Sequence, residues 1–331
     1  MAGGVKCLVT GGGGFIGSHL VEALLSDGYD VRVLDNFSTG DRKNLLEVAG
    51  EIEIVEGDLR SFERVLTATR GCEIVFHQAA LPSVPRSVQD PLTSSSVNVT
   101  GTLNVLLASR DNDVRRVVYA SSSSVYGAIP SEVKSEDLPV APLSPYGVSK
   151  LAGEAYCTSF AEVYGLETVS LRYFNVFGPR QSPISEYAAV IPSFLSAALM
   201  EERPTIYGDG EQSRDFTFVA NVVQANLLAA TVDDLAARVF NVGCGHKITL
   251  NRLLASVAEI VEQPLDPVRR EARAGDVRVS VADVSRARRE LGYEPTVQLH
   301  EGLVRTYEHL RLDPSLIPRV RERRQWLAAA R

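Results

Sequence analysis

The sequence predicts an α/β fold in which a doubly wound parallel sheet carries a smaller α/β lobe at its C-terminal side. Two observations predict it. The first half alternates short apolar runs with amphipathic stretches, and after about Asn175 prolines, glycines and charges become more frequent. Strands that alternate with helices form parallel sheets covered on both faces. We expect a first domain over residues 1–174 and a mainly ligand-binding lobe over residues 175–331. Some segments of the second part could pack in the first domain.

The strands of the predicted sheet are the short apolar runs of the first half. They fall at residues 5–9, 31–34, 52–55, 73–77 and 117–119. A helical pattern over residues 15–25 follows the first strand. Longer amphipathic patterns over residues 91–109 and 146–163 predict two further helices that lie next to each other.

Composition excludes several classes of protein. With 331 residues, 45% of them hydrophobic, the chain is long enough for a large buried core. The net charge is -7 and no basic stripe is present, so we expect no nucleic-acid partner. The sequence shows neither the order of a signal peptide nor a run of ~18 apolar residues, which predicts a cytoplasmic protein without membrane contact. The four cysteines and five histidines are scattered, and we expect reduced thiols and no metal.

A glycine cluster follows the first strand and opens the first helix. The spacing of Gly11, Gly14 and Gly17 allows a tight turn and a close approach of the backbone to a pyrophosphate, which the helix N-terminus then attracts. A glycine cluster alone is equally typical of a flexible loop. Its place between a strand and a helix, at the start of the alternating pattern, favours the dinucleotide-binding motif of a Rossmann domain.

The identity of the dinucleotide follows from the end of the second strand. Asp35 lies about 20 residues beyond the glycines, where a carboxylate accepts hydrogen bonds from both ribose hydroxyls and repels a 2′-phosphate. Asn36 and Phe37 follow it instead of an arginine, which favours NAD over NADP. Asp58, after the third strand, is placed to reach the adenine amino group. Its alternative role is to cap the helix that begins near Ser61.

Two polar segments carry the candidate chemistry. A serine run, Ser121 to Ser124, follows a strand, and Tyr146 with Lys150 lies at the head of a helix. Residues four apart share one helix face, so the ammonium of Lys150 lies beside the phenol. A nearby ammonium, together with a positive nicotinamide ring, lowers the pKa of the phenol and lets it take a proton while hydride leaves the same carbon. Taken alone, the pair is equally typical of a helix surface.

These motifs together resemble the extended short-chain dehydrogenase/reductase family, in particular its NAD-dependent nucleotide-sugar 4-epimerases. The likeness runs from residue 5 to about residue 292. It depends on TGGGGFIG, LDNFSTG, GDLR, HQAA, SSSSVYG, SPYGVSK, RYFNVFGPRQ, GDGEQSRDF and GDVRVSVAD. The combination of HQAALPSVPRSVQDP with RYFNVFGPRQ and AAVIP is similar to bacterial UDP-N-acetylglucosamine 4-epimerases.

The resemblance implies roles for individual residues. Tyr146 would be the general acid/base, Lys150 its pKa partner and a ribose ligand, and Ser122 the serine that aligns the substrate, with Ser123 as the nearest alternative. The implied cofactor-binding residues are Gly11, Gly14, Phe15, Ile16, Gly17, Asp35, Asn36, Ser38, Gly40, Asp58, Leu59, Gln78, Ala79, Ala80, Asn98, Tyr146, Lys150 and Tyr173. The implied substrate-binding residues are Ser83, Arg86, Ser122, Ser123, Ser124, Asn175, Ala189, Val190, Tyr207, Arg214, Arg273, Asp276 and Ser280.

Within the substrate set, the resemblance assigns the parts of a UDP-sugar. Asn175 would meet the diphosphate, and Val190 with Tyr207 the uridine. Arg214 and Arg273 would bind phosphates, for which a charge-assisted guanidinium fork is well suited. Each arginine, taken alone, equally fits a surface salt bridge.

The residues after Ser122 distinguish the reactions of this family. In the 4,6-dehydratases that this family includes, an Asp-Glu pair follows the serine or threonine. The UDP-glucuronate decarboxylases have a glutamate at the position of Ser124. This chain has Ser123 and Ser124 instead. Epimerisation needs no third acid, because the 4-keto sugar only has to turn over and receive hydride on its other face. The resemblance therefore implies a 4-epimerase.

The sugar itself is less sharply defined. A bulky tyrosine at the position of Ser280 restricts similar epimerases to UDP-glucose and UDP-galactose, whereas a small residue admits N-acetyl groups; alternatively Ser280 only packs in a strand. UDP-glucuronate 4-epimerase stays open, because Arg86 could meet a carboxylate or a phosphate, although some such enzymes have an arginine at the position of Ser182, where this chain has a serine. A redox-sensing NAD-binding regulator is the alternative of another class, and the presence of both Tyr146 and Lys150 argues against it. The resemblance also implies a homodimer through the helices at 91–109 and 146–163.

Overall fold

The computed structural model describes residues 4–184, 189–233, 235, 238–272, 277–313 and 318–322. Its strands are β1 (Lys6–Thr10), β2 (Asp30–Asp35), β3 (Glu53–Glu56), β4 (Ile74–His77), β5 (Arg116–Ser122), β6 (Val133–Lys134), β7 (Glu167–Tyr173), β8 (Val176–Phe177), β9 (Thr205–Tyr207), β10 (Ser213–Arg214), β11 (Thr217–Phe218), β12 (Val239–Val242), β13 (Ile248–Thr249), β14 (Val268–Arg270) and β15 (Val279–Ala282). Its α-helices are α1 (Phe15–Ser26), α2 (Phe62–Thr69), α3 (Val84–Gln89), α4 (Pro91–Ser95), α5 (Gly101–Asp111), α6 (Pro145–Tyr164), α7 (Val190–Leu199), α8 (Val219–Thr231), α9 (Leu250–Ile260), α10 (Ser285–Leu291) and α11 (Leu299–Leu312).

The main sheet has seven parallel strands in the order β12-β7-β5-β4-β1-β2-β3. Its central strands are apolar runs without alternation, and Cys7, Leu8 and Val9 of β1 are completely buried. This is the pattern of strands covered on both faces by helices. The prediction of a doubly wound parallel α/β fold is therefore confirmed, and each of the five predicted strands is present with bounds that differ by at most three residues.

Residues beyond 174 contribute to both parts of the molecule. β12 pairs with β7 at the edge of the main sheet, with Val239 opposite Ser170, and α8 packs against α1. The remaining strands form a four-stranded sheet, β13-β10-β15-β6, and two pairs, β8 with β11 and β9 with β14. A separate apolar core, which includes Phe194, Leu253 and Leu303, lies under these elements.

The two long predicted helices differ in regularity. The pattern over 91–109 forms α4 and α5, joined by one π-helical turn, Ser96–Thr100. Such turns are frequent at functional sites. α6 is regular, because Ser144 caps its N-terminus by accepting the N–H of Gly147, and Gly165 ends it in the left-handed conformation.

Two kinds of feature are absent from the described ranges. No helix in them has the length and apolar character to cross a membrane. Nor do the described residues contain a group of three or more His, Cys, Asp or Glu side chains with the arrangement of a metal site.

Candidate active site

The loop between β1 and α1 has no room for side chains at two of its glycines. Gly11 has φ = +72°, and a Cβ there would lie 2.7 Å from the backbone of Ala79. A Cβ on Gly17 would lie 2.1 Å from the carbonyl oxygen of Gly11. Gly14 begins α1 without a side-chain cap, which leaves the first N–H groups of the helix for an anion. The loop and the helix N-terminus together fit a pyrophosphate.

The carboxylate of Asp35 lies at the C-terminal end of β2, beside this loop. Its Oδ2 accepts the N–H of Gly13 and its Oδ1 that of Phe37, both at 2.8 Å. Burial raises the pKa of the Asp35 carboxyl, and the backbone donors oppose that rise. The turn that holds Ser38 and Gly40 packs on the glycines, since a Cβ on Gly40 would lie 2.8 Å from Gly13. An acid in this position suits a ribose with free hydroxyls.

Asp58 is engaged by neighbouring side chains. It accepts Nε and Nη2 of Arg60 at 2.9 and 2.7 Å and Nδ2 of Asn36 at 2.9 Å. The Arg60 guanidinium is the main cause that lowers the pKa of Asp58 to about 2. The cap of α2 is Ser61, not Asp58, so the alternative role of Asp58 as helix cap is wrong. Leu59 is buried and its carbonyl accepts a hydrogen bond from Nδ2 of Asn104.

The segment after β4 is held by polar side chains. Gln78 donates to Asn226 Oδ1 at 2.9 Å and accepts the hydroxyl of Tyr173 at 3.2 Å. The N–H of Ala79 donates to Thr10 Oγ1 at 3.2 Å. Asn226, on α8, was not predicted. Its signal in the sequence is only an asparagine on an otherwise apolar helix face, and α8 reaches the site by returning to the main sheet.

Asn98 lies in the π-helical turn and is 1% exposed. Its Oδ1 accepts the N–H of Leu81 at 2.7 Å, and its Nδ2 donates to Leu81 O at 3.2 Å and to Ser149 Oγ at 3.1 Å. Ser149 in turn donates to the carbonyl of Tyr146. Asn98 thus connects the segment after β4 with the first turn of α6.

The structure brings Ser122, Tyr146 and Lys150 together at the end of β5. Ser122 accepts the N–H of Ser124 at 3.1 Å and is hydrogen-bonded to the Tyr146 phenol. Nζ of Lys150 lies 6.0 Å from the centre of the Tyr146 ring and donates to the carbonyl of Ala120 at 2.8 Å. Burial lowers the pKa of Lys150 to about 8.

The pKa of Tyr146 is shifted in the direction opposite to the predicted one. Burial raises it above the usual value of a phenol, and the hydrogen bond with Ser122 is the opposing influence. In the protein alone, desolvation therefore outweighs the effect expected from Lys150. The nicotinamide charge, which the sequence prediction counted together with Lys150, belongs to the bound cofactor.

A cleft of about 700 Å³, partly open to solvent, lies between α7 and β10. Four predicted substrate residues line it: Asn175, Ala189, Val190 and Arg214. Sequence reasoning missed the other lining residues, which are Val176, Phe177, Ile191, Gln212, Phe216 and Leu250. Gln212 and Phe216 belong to the quoted motif GDGEQSRDF, which was the available signal for them.

The remaining predicted substrate residues lie at different distances from this cleft. Ser280 pairs with Arg214 across β15 and β10 and is half-buried. Tyr207 is not among the lining residues, but its carbonyl accepts Nε2 of Gln212 at 2.6 Å. Arg273 and Asp276 lie outside the described residues.

Ser83 and Arg86 lie in a segment with unusual backbone geometry. Ser83 has φ = +117° and accepts the N–H of Arg86 at 3.3 Å at the start of α3. Arg86 is exposed. Ser87, which is completely buried, accepts the N–H of Tyr146 at 3.0 Å. α3 is therefore bound directly to the helix turn that carries the phenol.

The fold and the site together define an enzyme with a Rossmann domain for a dinucleotide, and comparisons with known proteins agree. The model of the NAD dependent epimerase/dehydratase family matches residues 7–243. The chain is 42% identical over 311 residues to the UDP-glucose 4-epimerase of Mycolicibacterium smegmatis, covering 93% of this chain and 99% of that protein.

Two solved structures are also similar. One is UDP-N-acetylglucosamine 4-epimerase from Methanobrevibacter ruminantium in complex with UDP-N-acetylmuramic acid, with a TM-score of 0.89, 41% identity and coverage of 93% of this chain and 98% of that chain. The other is a variant of UDP-glucuronic acid 4-epimerase from Bacillus cereus in complex with UDP-4-deoxy-4-fluoro-glucuronic acid and NAD, with a TM-score of 0.86, 31% identity and coverage of 92% and 99%.

The chain belongs to the NAD dependent epimerase/dehydratase family. The predictions of the extended short-chain dehydrogenase type, of a nucleotide-sugar 4-epimerase and of NAD as the cofactor are confirmed.

Proposed function

We propose that the protein interconverts UDP-GlcNAc and UDP-GalNAc, and that it also accepts UDP-glucose and UDP-galactose. The observation that carries this proposal is the small Ser280 directly opposite Arg214, beside the cleft. A side chain of this size leaves room for a 2-acetamido group, which a tyrosine would fill.

The glycine loop supports NAD as the cofactor. Its backbone contacts are so close that they admit no side chain, which leaves the backbone open to a pyrophosphate. The N-terminus of α1 would hold the pyrophosphate and Asp35 the adenosine ribose. Lys150 would bind the second ribose. When bound, NAD supplies reversible acceptance of hydride from C4 of the sugar.

The chain's own residues move the proton and hold the sugar. Tyr146 takes the proton from the C4 hydroxyl and later returns it to the same oxygen, and Ser122 fixes that oxygen through its hydroxyl. Lys150 favours the phenolate by its charge. Ser123 and Ser124 lie beside Ser122 in a short 3-10 turn, where they can contact the sugar without adding an acid.

The cleft at α7 would take the nucleotide. Ala189 and Val190 line the cleft at the N-terminus of α7, which has no side-chain cap, and they would contact the uridine. Arg214 is the charged residue among those that line the cleft, and it would bind the diphosphate. Asn175, held by its Nδ2 on the carbonyl of Asp215, completes the diphosphate contact.

One observation favours UDP-glucuronate as the second candidate substrate. Arg86 is exposed, and among the described residues no carboxylate lies within ion-pair distance of it. A guanidinium of this kind can bind the C6 carboxylate of a uronate bidentately.

We also propose a homodimer through the helix faces of α4 and α6. Leu92 is 83% exposed, Val148 53% and Val163 67%, and Tyr164 is half exposed. Apolar residues this exposed on neighbouring helices are typical of a protein–protein interface. Light scattering at micromolar concentration tests this, and a monomer at that concentration contradicts it.

Product analysis tests the substrate. The purified protein, without added NAD, is incubated separately with UDP-GlcNAc, UDP-glucose and UDP-glucuronate. Conversion of UDP-GlcNAc to its 4-epimer is the expected result. Conversion of UDP-glucuronate alone overturns the proposal and favours carboxylate binding by Arg86.

A further inference from the structure

A buried ion pair lies directly beneath the catalytic residues. Glu154, one helical turn after Lys150 on α6, accepts Nε of Arg172 at 2.9 Å and Nη2 at 2.7 Å on separate oxygens. The two side chains are 5% and 6% exposed. The hydroxyl of Ser121 donates to the same carboxylate. None of the roles assigned above involves this pair.

The partners of Glu154 lie next to residues of the site. Ser121 immediately precedes Ser122 at the end of β5, and Arg172 immediately precedes Tyr173 at the end of β7. Ser121 and Arg172 are opposite each other in the register of the two strands. One carboxylate on α6 therefore binds the ends of two strands. On each strand its partner is the residue that immediately precedes a residue of the site.

The same helix face makes two more close contacts with β5. Lys150 donates to the carbonyl of Ala120, and a Cβ on Gly153 would lie 2.2 Å from the hydroxyl of Tyr119. The spacing between α6 and β5 is thus set over three successive strand residues, 119 to 121. Ser122 is the next residue, and Tyr146 lies at the start of the same helix.

The pair also extends away from α6. The Arg172 guanidinium lies 4.8 Å from the centre of the Tyr126 ring, and its Nη1 has no hydrogen-bond partner among the described residues. Tyr126 donates to Oδ1 of Asn241 on β12 at 2.7 Å. The guanidinium is therefore held on both sides, which restricts the movement of the Glu154 carboxylate.

We propose that Glu154 is a positioning residue of the active site: with Arg172 it fixes the ends of β5 and β7 to α6 and so keeps Ser122, Tyr146 and Lys150 in register. The physical basis is that a displacement of about 1 Å at a reacting group reduces the rate roughly 10²-fold. Glu154 acts through these residues and does not itself contact the substrate.

The Glu154 carboxylate also acts on Lys150 by its charge. The titratable groups that face Lys150 are Tyr146, Glu154 and Cys157 from α6, Tyr119 from β5 and His77 from β4. Burial raises the pKa of Tyr119 and Cys157 and lowers that of His77 to about 3, so all three are neutral near pH 7. Among the described residues, Glu154 is then the charge that favours the ammonium form of Lys150, with Arg172 on its far side.

The test compares variants of the full-length protein with NAD bound. Glu154→Asp keeps the charge but shortens the side chain, Glu154→Gln removes the charge, and the double variant Glu154→Leu/Arg172→Met removes both charges with little change of volume. The control is Glu167→Gln, which breaks the Arg116–Glu167 pair at the opposite ends of β5 and β7. Measured quantities are kcat, KM, the pH profile, the bound NAD and the melting temperature.

We expect kcat to fall 10- to 100-fold in all three Glu154 variants, with KM and bound NAD within about threefold of wild type. In Glu154→Gln the alkaline limb moves to lower pH, because Lys150 loses the charge that favours its protonated form. The control keeps kcat and its pH profile.

The outcomes separate positioning from simple stability. If Glu154→Gln fails to fold, the double variant, which leaves no unpaired buried charge, still tests the geometry. If that variant also fails to fold, Glu154→Asp decides. A folded Glu154→Asp or double variant with kcat within about threefold of wild type and an unchanged pH profile overturns the proposal. The inference relies on the proposed function only for its assay, which uses whichever UDP-sugar the wild type converts; conversion of a different sugar overturns that function and leaves this test intact.

Discussion

Replacing Lys150 by methionine is expected to abolish activity and yet stabilise the fold near neutral pH. The side chain is 4% exposed, and burial lowers the pKa of its ammonium from the ordinary 10.5 to about 8. Since the unfolded chain keeps the ordinary value, it binds the proton more tightly than the folded protein does. Stability is therefore reduced throughout the range below about pH 8, and the loss disappears as the pH rises through 8 to 10.5.

The magnitude follows from this difference. A pKa change from 10.5 to about 8 corresponds to about 3 kcal/mol of destabilisation at pH 7. Removal of Lys150 also removes its hydrogen bond to the Ala120 carbonyl, which contributes about 1 kcal/mol. Lys150→Met should therefore increase the free energy of unfolding by about 2 kcal/mol at pH 7.

Urea unfolding of the NAD-free protein at several pH values between 7 and 10.5 measures the effect. The gain of Lys150→Met over wild type should shrink as the pH rises, because deprotonation removes the penalty from the wild type. Lys43→Met, at an exposed position, is the matched control and should show no pH-dependent difference. A gain that stays constant from pH 7 to 10.5, or one that grows as the pH rises, would refute the reasoning.

Three further predictions concern single residues of the site. Tyr146→Phe should reduce kcat by 10² to 10⁴-fold while bound NAD and melting temperature stay near wild type, as product analysis and absorbance show; retention of a tenth of the activity contradicts a role in proton transfer. Gly17→Ala should yield protein without bound NAD or with a much lower melting temperature, since its Cβ would lie 2.1 Å from the carbonyl of Gly11, whereas Gly50→Ala, with open space around its Cβ, should behave as wild type. Ser280→Tyr should reduce kcat/KM for UDP-GlcNAc at least tenfold more than for UDP-glucose, and equal losses for the two sugars would show that Ser280 does not contact the 2-substituent.

The parts of the site that the sequence predicts are those encoded by local spacing. Gly11, Gly14 and Gly17 lie within one loop, and Tyr146 with Lys150 within one helical turn, so that the structure had little freedom to separate them. The position of Asp35 is also predictable, because it ends β2, the strand that pairs with β1 immediately before the glycines. The parallel order of the strands then brings both motifs to the same edge of the sheet.

Other residues of the site come together only through tertiary packing. Leu250 begins α9 and Phe177 ends β8, yet both line the same cleft as Arg214. Asn226 reaches Gln78 because α8 returns to the main sheet, a step that no local pattern encodes. The direction of the Tyr146 pKa shift could not be predicted from the sequence either, since it depends on how completely the phenol is buried.

Several unfavourable features of this fold concentrate around α6. Lys150 is a buried ammonium, Glu154 and Arg172 are buried charges, and Ser83 has a φ of +117° that a non-glycine residue rarely adopts. Each of them reduces stability or contributes little to it, whereas the strands of the main sheet pack into two apolar clusters of buried residues. Their joint position at the carboxyl end of the sheet has a chemical explanation, because a low-dielectric site strengthens the interaction of Lys150 with the Tyr146 phenolate. Burial opposes ionisation of Tyr146 in the protein without cofactor. The same burial also increases the effect of each charge that lies close to the phenol.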